Sequence, residues 1–413
     1  MLLYRLFIYC YPLLAKLLAL FNPKAKSWCQ GQSTVWQEIN TKKASIDKPI
    51  IWIHAASYGE FEQGLPIMHK IRDKYPNHSI WLTFFSPSGY LFRNNDPAAD
   101  AITYLPFESY KNAQRFMQTI QPVLIIFIKY EFWYYYLKIA QEKNIPTLLV
   151  SSIFRKDQIF FKWYGGFYKK ILNLFSSILV QEQISFDLVK SILNETRISI
   201  SGDTRFDRVL QTAKNTTPIH WINLLSAHKK IIAGSTWKED HLLFSQMMPH
   251  IKEYNIIIAP HLVDENNIKE CIRIFPSAIR LSEFVLKNEK QELPQIILVD
   301  SIGILRSLYQ YATISYVGGA FGYDGVHNVI EPAAFGKPVV WGPNDKKYRE
   351  AIGLRKANGG FSIAESSQAI ALIDSLMNNE SAYQNAGYAA AQFVSAHAGA
   401  TDKTMTEIIY YLG

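Results

Sequence analysis

The stretch that decides the fold of the N-terminal half is IIWIHAASYGEFEQGLPIMHKIRDK, residues 50–74. A continuous apolar run, Ile50–Ala55, is followed by a short turn that contains a glycine and then by a helical pattern over Phe61–Lys74. An apolar strand that runs directly into an amphipathic helix is typical of a parallel sheet with helices on both faces. The stretch therefore predicts the first strand–helix unit of an α/β fold.

The same alternation recurs in two sets along the chain. The first set of predicted strands is Ile50–Ala55, Ser79–Phe85, Val123–Ile128, Thr147–Ser152, Ser177–Gln181 and Arg197–Ser201. The polar stretch Gln211–Pro218 follows and is typical of a linker. The second set is Lys230–Ala233, Asn255–Ala259, Gln295–Val299, Thr313–Val317, Pro338–Trp341 and Gly360–Ile363. Two such sets predict an α/β fold with two Rossmann-like domains that face a cleft, each binding ligands beyond its strand ends.

The composition narrows the class of protein. The chain has 413 residues, of which 48% are hydrophobic and 19% charged, and this excludes a disordered or fibrous protein. Lys and Arg number 43 against 35 acids, a net charge of +8, which favours an anionic partner such as nucleic acid, acidic lipid or a phosphorylated substrate. The three cysteines, Cys10, Cys29 and Cys271, form no CxxC pair, which disfavours disulfides or a structural zinc site.

Residues 1–22 are strongly apolar and are predicted to form a membrane-associating helix. Their length just reaches the roughly 20 residues that cross a bilayer, but Arg5 and Lys16 interrupt the run. Lys24 and Lys26 follow and suit anionic headgroups on the cytoplasmic side. Both a spanning and an interfacial helix stay open, and the alternative is a buried first helix of the globular body.

Charged residues at the strand ends of the first domain are candidates for catalysis and acceptor binding. Glu60 lies at a helix start, where it could accept a proton from a substrate hydroxyl or simply complement the helix dipole. Lys129 and Glu131 follow the strand Val123–Ile128 and could bind a polar substrate or form a surface ion pair.

Residues 154–170 combine basic and aromatic side chains. Arg155, Lys156 and Lys162 are the basic residues for which we expect acceptor contacts. Such a run suits single-stranded nucleic acid, a phosphorylated lipid headgroup, or a solvated helix with its core face. Because the chain also begins with an apolar segment, we favour lipid over nucleic acid.

The second half carries glycine-rich loops that are typical of nucleotide-phosphate sites. The candidate donor-binding residues there are Gly234, Ser235, Thr236, Pro260, His261, Asp300, Ser301, Gly303, Gly318, Gly319, His327, Asn328 and Glu331. The chain contains no GxxxxGK[ST] loop, no GxGxxG after the first strand, no GxSxG elbow and no HExxH motif. These absences disfavour a nicotinamide dehydrogenase and favour chemistry without a metal.

Several of these segments resemble the transferases of 3-deoxy-D-manno-octulosonic acid (Kdo). The matching motifs are HAASYGE (54–60), SGDTRFDRV (201–209), GSTWKED (234–240), DSIGIL (300–305) and GGAFGYDGVHNVIEPAAFGKPVVWGP (318–343). The resemblance implies a GT-B glycosyltransferase that moves Kdo from CMP-Kdo to the lipid A precursor at the cytoplasmic face of the inner membrane. It further implies inversion with no metal or cofactor, with Glu60 as general base. The implied partners are CMP-Kdo, the lipid A precursor and inner-membrane lipid, with no nucleic acid.

The resemblance also assigns parts of the chain. It implies an acceptor-binding domain over 23–212 and a CMP-sugar-binding domain over 218–395, with a C-terminal helix over 396–413 that could pack back on the first domain. The chain departs from the family pattern where only Glu131 of two expected acids is present and where the Arg expected beside His261 is absent. Lys129, Arg205 or the Lys346–Lys347 pair could supply the missing cation.

Two other functions stay open. The glycine-rich cluster alone would also suit a GT-B enzyme that acts on a UDP-sugar, either a transferase or an epimerase. A membrane-anchored protein that binds anions or nucleic acid would explain the net charge of +8 but not the two ordered sets of strand-end motifs.

Overall fold

A computed structural model describes residues 2–194, 197–225, 229–286, 294–323 and 325–413. Met1, with which the predicted N-terminal helix begins, lies outside these residues. The chain divides into two compact units. The first unit comprises Met1–Arg208 together with Ala398–Gly413, and the second comprises Val209–His397.

The first unit is built on a parallel seven-stranded sheet with the order β3-β2-β1-β4-β5-β6-β7. Its strands are β1 (Ile50–His54), β2 (Ser79–Phe84), β3 (Ala101–Tyr104), β4 (Pro122–Ile128), β5 (Thr147–Ser152), β6 (Ser177–Val180) and β7 (Ile198–Ile200). The central strands β1 and β4 are mostly apolar and buried because helices cover both faces of the sheet. Ile51 and Ile53 therefore pack on one face, while Trp52 packs on the other.

Nine α-helices lie wholly within the described part of the first unit. They are α1 (Leu2–Leu18), α2 (Pro23–Lys43), α3 (Tyr58–Lys74), α4 (Pro87–Arg93), α5 (Tyr110–Ile120), α6 (Tyr134–Glu142), α7 (Gly166–Leu172), α8 (Gln183–Lys190) and α18 (Ala400–Leu412). The helix α18 belongs to this unit because Met405 and Ile408 are buried in its core. The Asp207 carboxylate accepts hydrogen bonds from the N–H groups of Gly399 and Thr401, at 2.6 and 2.8 Å, and so fixes the start of α18.

The second unit repeats the architecture with a parallel sheet of order β10-β11-β9-β8-β12-β13-β14. Its strands are β8 (Lys229–Thr236), β9 (Tyr254–Pro260), β10 (Ile279–Arg280), β11 (Ile296–Leu298), β12 (Ile314–Val317), β13 (Val339–Trp341) and β14 (Gly360–Ser362). The helices between them are α10 (Lys238–Met247), α11 (Glu265–Ile274), α12 (Leu281–Leu286), α13 (Leu305–Leu308), α14 (Ile330–Ala333), α15 (Arg349–Lys356), α16 (Ser366–Met377) and α17 (Glu380–His397). The prediction of an α/β fold with two parallel sheets is therefore confirmed.

Two short strands and one helix differ from the prediction. The sequence did not indicate β3 and β10, which have four and two residues and carry too little apolar pattern to stand out. The predicted linker Gln211–Pro218 is wrong in its first half, because α9 (Thr204–Lys214) continues across it. Phe206 and Val209 are buried on one side of α9.

The predicted membrane-associating helix over residues 1–22 is shorter in the structure, where α1 ends at Leu18. Helix α1 has 17 residues, which at about 1.5 Å per residue measure roughly 25 Å and fall short of the bilayer core. Among the described residues, no helix combines the length and the apolar content that crossing a membrane requires. One side of α1 packs on the first unit through Ile8 and Ala15, whereas Phe7 and Leu13 are exposed.

Candidate active site

Glu60 lies at the carboxyl edge of the first sheet, directly after the central strand β1. Ser57 is the extended N-cap of α3, with φ −138°, and Glu60 occupies the first turn of that helix. The Ser57 hydroxyl donates a hydrogen bond to the half-buried Glu60 carboxylate. The chain continues from β1 to β2 on one side, while β4 pairs on the other, so Glu60 marks a topological switch point where such sheets bind ligands.

Glu131 follows β4, the other neighbour at this switch point, and it is 7% exposed. Its Oε2 accepts hydrogen bonds from the Trp133 indole at 2.6 Å and from His54 at 3.0 Å. Because a buried carboxylate is costly without donors, these two contacts allow Glu131 to remain at the strand end. The sequence pattern did not indicate His54 as a site residue.

The predicted acceptor-binding cations are distributed over two loops. Lys129 has φ 71°, donates its N–H to the carbonyl of Val150 at 2.8 Å, and places its ammonium 5.4 Å from the ring centre of Tyr130. Arg155 and Lys156 are exposed in the loop after β5, and Lys162 is half-buried in the same loop. The loop also carries two exposed aromatic residues, Trp163 and Tyr164.

In the second unit, the buried Asp240 carboxylate organises the carboxyl edge of the sheet. Its Oδ2 accepts hydrogen bonds from the N–H groups of Trp237 at 2.8 Å and Gly319 at 3.0 Å, and its Oδ1 accepts one from the Tyr316 hydroxyl at 2.6 Å. Burial raises the pKa of Asp240, although the three donors act in the opposite direction. Asp240 thus ties the loop after β12 to the first turn of α10.

The glycine pair after β12, which is predicted to contribute to the donor site, donates both of its N–H groups within the protein. The Gly318 N–H donates to the carbonyl of Gly234 at 2.9 Å, and the Gly319 N–H donates to Asp240. A Cβ on Gly318 would lie 2.5 Å from the carbonyl oxygen of Ser235. These glycines therefore permit close packing of neighbouring strand ends, and both of their N–H groups already have protein acceptors.

Three aromatic rings stack at this edge, each from a different strand end. The His261 ring lies 4.8 Å from the Trp237 ring and 4.5 Å from the His327 ring, with interplanar angles of 24° and 13°. The indole Nε1 of Trp237 donates to Nε2 of His327 at 3.0 Å. Pro260 ends β9, directly before His261. The structure thus brings two of the predicted donor-binding residues together with a tryptophan.

Two further predicted donor-binding residues, Asn328 and Glu331, contact each other. Oε1 of Glu331 accepts hydrogen bonds from the Asn328 amide and from Nε of Arg306, both at 3.1 Å. Arg306 lies on α13 and was not indicated by the sequence pattern. It places a guanidinium in the predicted donor region, which lacks the arginine expected beside His261.

The remaining predicted donor residues lie farther out or are already engaged. Asp300 accepts hydrogen bonds from the N–H and hydroxyl of Ser282 at 3.1 and 2.5 Å, and so caps α12. Ser301 and Gly303 are exposed in the following turn, where Gly303 has φ +98°. The predicted strand Lys230–Ala233 is longer in the structure, because β8 runs to Thr236 and so includes Gly234, Ser235 and Thr236.

Thr236, His241 and Cys271 line a small cavity in the second unit. The Thr236 hydroxyl and Nε2 of His241 lie 2.8 Å apart, and the Cys271 thiol lies 3.5 Å from the other ring nitrogen. Burial lowers the pKa of His241 to about 4 and raises the pKa of Cys271 to about 11. The imidazole and the thiol are therefore both neutral near pH 7, and the Thr236 side chain is committed to this internal contact.

Comparison with known proteins gives concordant results. Residues 32–208 match the family model described as 3-Deoxy-D-manno-octulosonic-acid transferase (kdotransferase). A 3-deoxy-D-manno-octulosonic acid transferase of Aquifex aeolicus is 27% identical over 80% of this chain and 87% of that protein. One of Haemophilus influenzae is 26% identical over 98% of this chain and 97% of that protein.

Among solved structures, the UDP-GlcNAc 2-epimerase of Neisseria meningitidis bound to UDP-GlcNAc superposes with a TM-score of 0.61. The superposition covers 88% of this chain and all of that one, and the two sequences are 12% identical. At this identity the likeness concerns the fold alone.

Proposed function

We infer that the chain belongs to the 3-deoxy-D-manno-octulosonic acid (Kdo) transferase family and transfers Kdo from CMP-Kdo to a lipid A precursor in lipopolysaccharide synthesis. The observation that carries this conclusion is the similarity to the Haemophilus influenzae transferase, which extends over 98% of the chain and so includes both units. The UDP-sugar alternative retains only a likeness of fold, at 12% identity.

In the proposed reaction, Glu60 is the general base. An acceptor hydroxyl attacks the anomeric carbon of Kdo, and the bond from that carbon to the phosphate oxygen of CMP breaks. CMP leaves with the electron pair, Glu60 takes the hydroxyl proton, and in-line displacement inverts the anomeric configuration. Glu60 lies at the switch point of the first sheet, and one oxygen of its carboxylate accepts a hydrogen bond from the Ser57 hydroxyl. Both observations support this role.

The donor is assigned to the second unit. The proposal places the sugar nucleotide at the edge formed by the ring stack of Trp237, His261 and His327 and by the Glu331–Arg306 pair. Stacked rings offer a surface for a base or a sugar face, and a carboxylate held by Arg306 and Asn328 can accept hydrogen bonds from hydroxyl groups. Arg306 is our choice for the cation that replaces the arginine expected beside His261.

The acceptor is assigned to the first unit, attached to a membrane surface. The outward side of α1 and the residues after it expose Leu13, Leu17 and Phe21, while Lys16 and Lys24 are exposed beside them. An exposed apolar strip flanked by lysines suits the interface of an anionic bilayer. We therefore propose peripheral attachment at the cytoplasmic face of the inner membrane, with the exposed Arg155 and Lys156 available to the phosphates of the lipid.

Calorimetric titration with CMP-Kdo, UDP-GlcNAc and CMP tests the donor assignment. We expect saturable binding of CMP-Kdo and weaker binding of CMP, because CMP lacks the sugar that Glu331 would contact. Binding of UDP-GlcNAc with no binding of CMP-Kdo would contradict the proposal and favour the UDP-sugar alternative.

A further inference from the structure

A buried chain of polar groups leads from the interior of the first sheet to Glu131. His54 is fully buried at the end of β1 and faces Thr83 on β2, its partner in the strand register. Its Nδ1 lies 2.8 Å from the Thr83 hydroxyl oxygen, and its Nε2 lies 3.0 Å from Oε2 of Glu131. This series of polar groups begins at Trp52, whose Nε1 lies 2.8 Å from the same Thr83 hydroxyl.

The indole N–H of Trp52 sets the direction of the hydrogen bonds in this series. An indole N–H can only donate, so the Thr83 hydroxyl oxygen accepts the proton of Trp52. The hydroxyl can then give its own proton to Nδ1 of His54. The carbonyl oxygen of Thr83 lies farther from Nδ1, at 3.1 Å, and also accepts the N–H of Ala55 at 3.0 Å, so the hydroxyl is the nearer partner of Nδ1. A neutral imidazole that accepts at Nδ1 carries its proton on Nε2, which faces Glu131.

The imidazole is also held in place sterically. The rings of Phe127 and Trp133 approach it nearly edge-on, at 5.6 and 6.0 Å between ring centres. Nε1 of Trp133 lies 2.6 Å from Oε2 of Glu131 and 3.1 Å from Nε2 of His54. The carboxylate oxygen is the nearer and the charged acceptor, so we assign the indole hydrogen bond to it, and the same oxygen then accepts from both Trp133 and His54. Within the described parts of the chain, the other oxygen, Oε1, receives no hydrogen bond and is the acceptor left for a ligand hydroxyl.

We propose that His54 is a positioning residue for the reaction: Trp52 and Thr83 fix its Nε2–H tautomer, and the hydrogen bond from that N–H orients the Glu131 carboxyl group toward the acceptor sugar. The inference rests on the proposed function, because it assigns the acceptor to the edge where Glu131 lies. His54 itself contacts no substrate. It acts by reducing the number of orientations that the Glu131 carboxylate can adopt before the acceptor binds.

A pair of variants at position 54 separates positioning from simple burial. The amide of His54→Gln reaches the place of Nε2 and can donate to Glu131, whereas the shorter amide of His54→Asn replaces only Nδ1. We expect His54→Asn to raise the acceptor KM about 10- to 100-fold, the size expected for a lost hydrogen bond to a charged group. We expect His54→Gln to restore most of that loss, and the KM for CMP-Kdo to stay unchanged in both.

The neighbouring strands supply a matched control for Thr83. Trp81 donates to the buried Thr103 hydroxyl at 3.2 Å, which repeats the indole–hydroxyl contact one strand away without a histidine. Thr83→Val and Thr103→Val therefore each leave one buried indole N–H without its acceptor. Only Thr83→Val should raise the acceptor KM, and thermal unfolding of both variants reports any common loss of stability.

The decisive measurements are a double-mutant cycle and the tautomer itself. If His54 acts through Glu131, the double variant His54→Asn/Glu131→Gln has the same acceptor KM as Glu131→Gln. Multiplied effects would overturn the proposal, as would equal acceptor KM values for wild type, His54→Asn and His54→Gln. Nitrogen-15 NMR of the His54 ring, assigned from the signal lost in His54→Asn, should show Nε2–H, and an Nδ1–H tautomer would overturn it independently of activity. Absence of transfer in the wild type would instead overturn the proposed function.

Discussion

The Asp240 carboxylate accepts a hydrogen bond from the N–H of Gly319, 79 positions farther along the chain, at 3.0 Å. The same oxygen accepts the N–H of Trp237, so one buried side chain holds the loop after β12 against the start of α10. The ring of Trp237 then stacks with His261. The geometry of the candidate donor site therefore depends on Asp240, which is not itself part of the ring stack.

Replacement of Gly319 by alanine is expected to disrupt this arrangement. Gly319 has φ +92°, and a Cβ would lie 2.6 Å from the carbonyl oxygen of Gly325 and 2.8 Å from the His327 ring. Gly303→Ala is the matched control, since Gly303 has φ +98° but open space around a Cβ. We expect Gly303→Ala to cost about 1 kcal/mol of unfolding free energy and Gly319→Ala at least twice that. Equal losses in denaturant titrations would show that the clash is absent.

Arg306 is expected to contribute to donor affinity by holding Glu331. Arg306→Met removes the guanidinium and should weaken CMP-Kdo binding about 10-fold or more, since a half-buried charged hydrogen bond is lost. Arg280→Met is the control, because Arg280 forms a comparable pair with the exposed Glu265 in the same unit. Calorimetry should show unchanged affinity for the control. An unchanged affinity in Arg306→Met would return the role of the cation to Lys129, Arg205 or the Lys346–Lys347 pair.

Replacement of the proposed base tests the chemistry without altering the fold. Glu60→Gln keeps the size of the side chain and its contact with Ser57 but removes the group that takes the proton. We expect turnover to fall by 100-fold or more, the usual size of a general-base contribution, with CMP-Kdo affinity unchanged. Initial rates with saturating substrates measure the effect. Near-normal turnover would remove Glu60 from the base role.

The free energy of unfolding is expected to depend on pH through Glu108, a buried residue that contacts α1. Glu108 is 1% exposed, accepts hydrogen bonds from the Tyr4 hydroxyl of α1 and the N–H of Tyr135, and burial raises its pKa from 4.5 to about 7. Between these values the folded state binds the proton more tightly than the unfolded state does. Stability contributed by Glu108 is therefore present at low pH and declines as pH rises from about 4.5 to about 7.

The loss across that range is on the order of 3 kcal/mol, at about 1.4 kcal/mol for each pH unit. Glu108→Gln stays neutral and should lack this slope. Denaturant titrations at pH 4.5 and pH 7.5, followed by tryptophan fluorescence, measure the difference between variant and wild type. Parallel pH dependences would show that Glu108 is already ionised at low pH.

Attachment to a membrane is expected to depend on the exposed side of α1 and the residues that follow it. The double variant Leu17→Ser/Phe21→Ser replaces side chains that are 62% and 88% exposed, so the fold should tolerate the change. Each lost apolar side chain should reduce partitioning into vesicles with anionic lipid about 10-fold. Tyr388→Ser, at a residue of the second unit that is 68% exposed, is the control for co-sedimentation. Equal sedimentation of all three proteins would contradict attachment through α1.

The sequence predicted the framework well because buried parallel strands leave a direct signal. Apolar runs such as Thr147–Ser152 coincide with an observed strand, since every residue of β5 is buried. The edge strands β3 and β10, with four and two residues, are too short to give such a signal. The strand-end rule then located Glu60 and Glu131 at one edge, as their positions after β1 and β4 require.

The connections between side chains were less accessible to prediction. A glycine pair after a strand is typical of a phosphate loop, but the acceptor of the Gly319 N–H is Asp240, and no local pattern links the two residues. Arg306 and His54 were also missed, because each is defined by a partner at least 25 positions away. One signal for the buried series of polar groups was available. Trp52 and His54 lie two positions apart on β1, so they share a face of the sheet, and Thr83 pairs with His54 on β2.

The most direct test of the account is the reaction itself. The full chain, bound to anionic vesicles, is incubated with CMP-Kdo and a tetraacylated lipid A precursor, and the lipid products are read by mass spectrometry, with and without EDTA. The account predicts a lipid whose mass increases by one or more Kdo residues, equally in both conditions, and no increase with Glu60→Gln. An unchanged lipid mass with the wild-type protein, while CMP-Kdo remains intact, would contradict it.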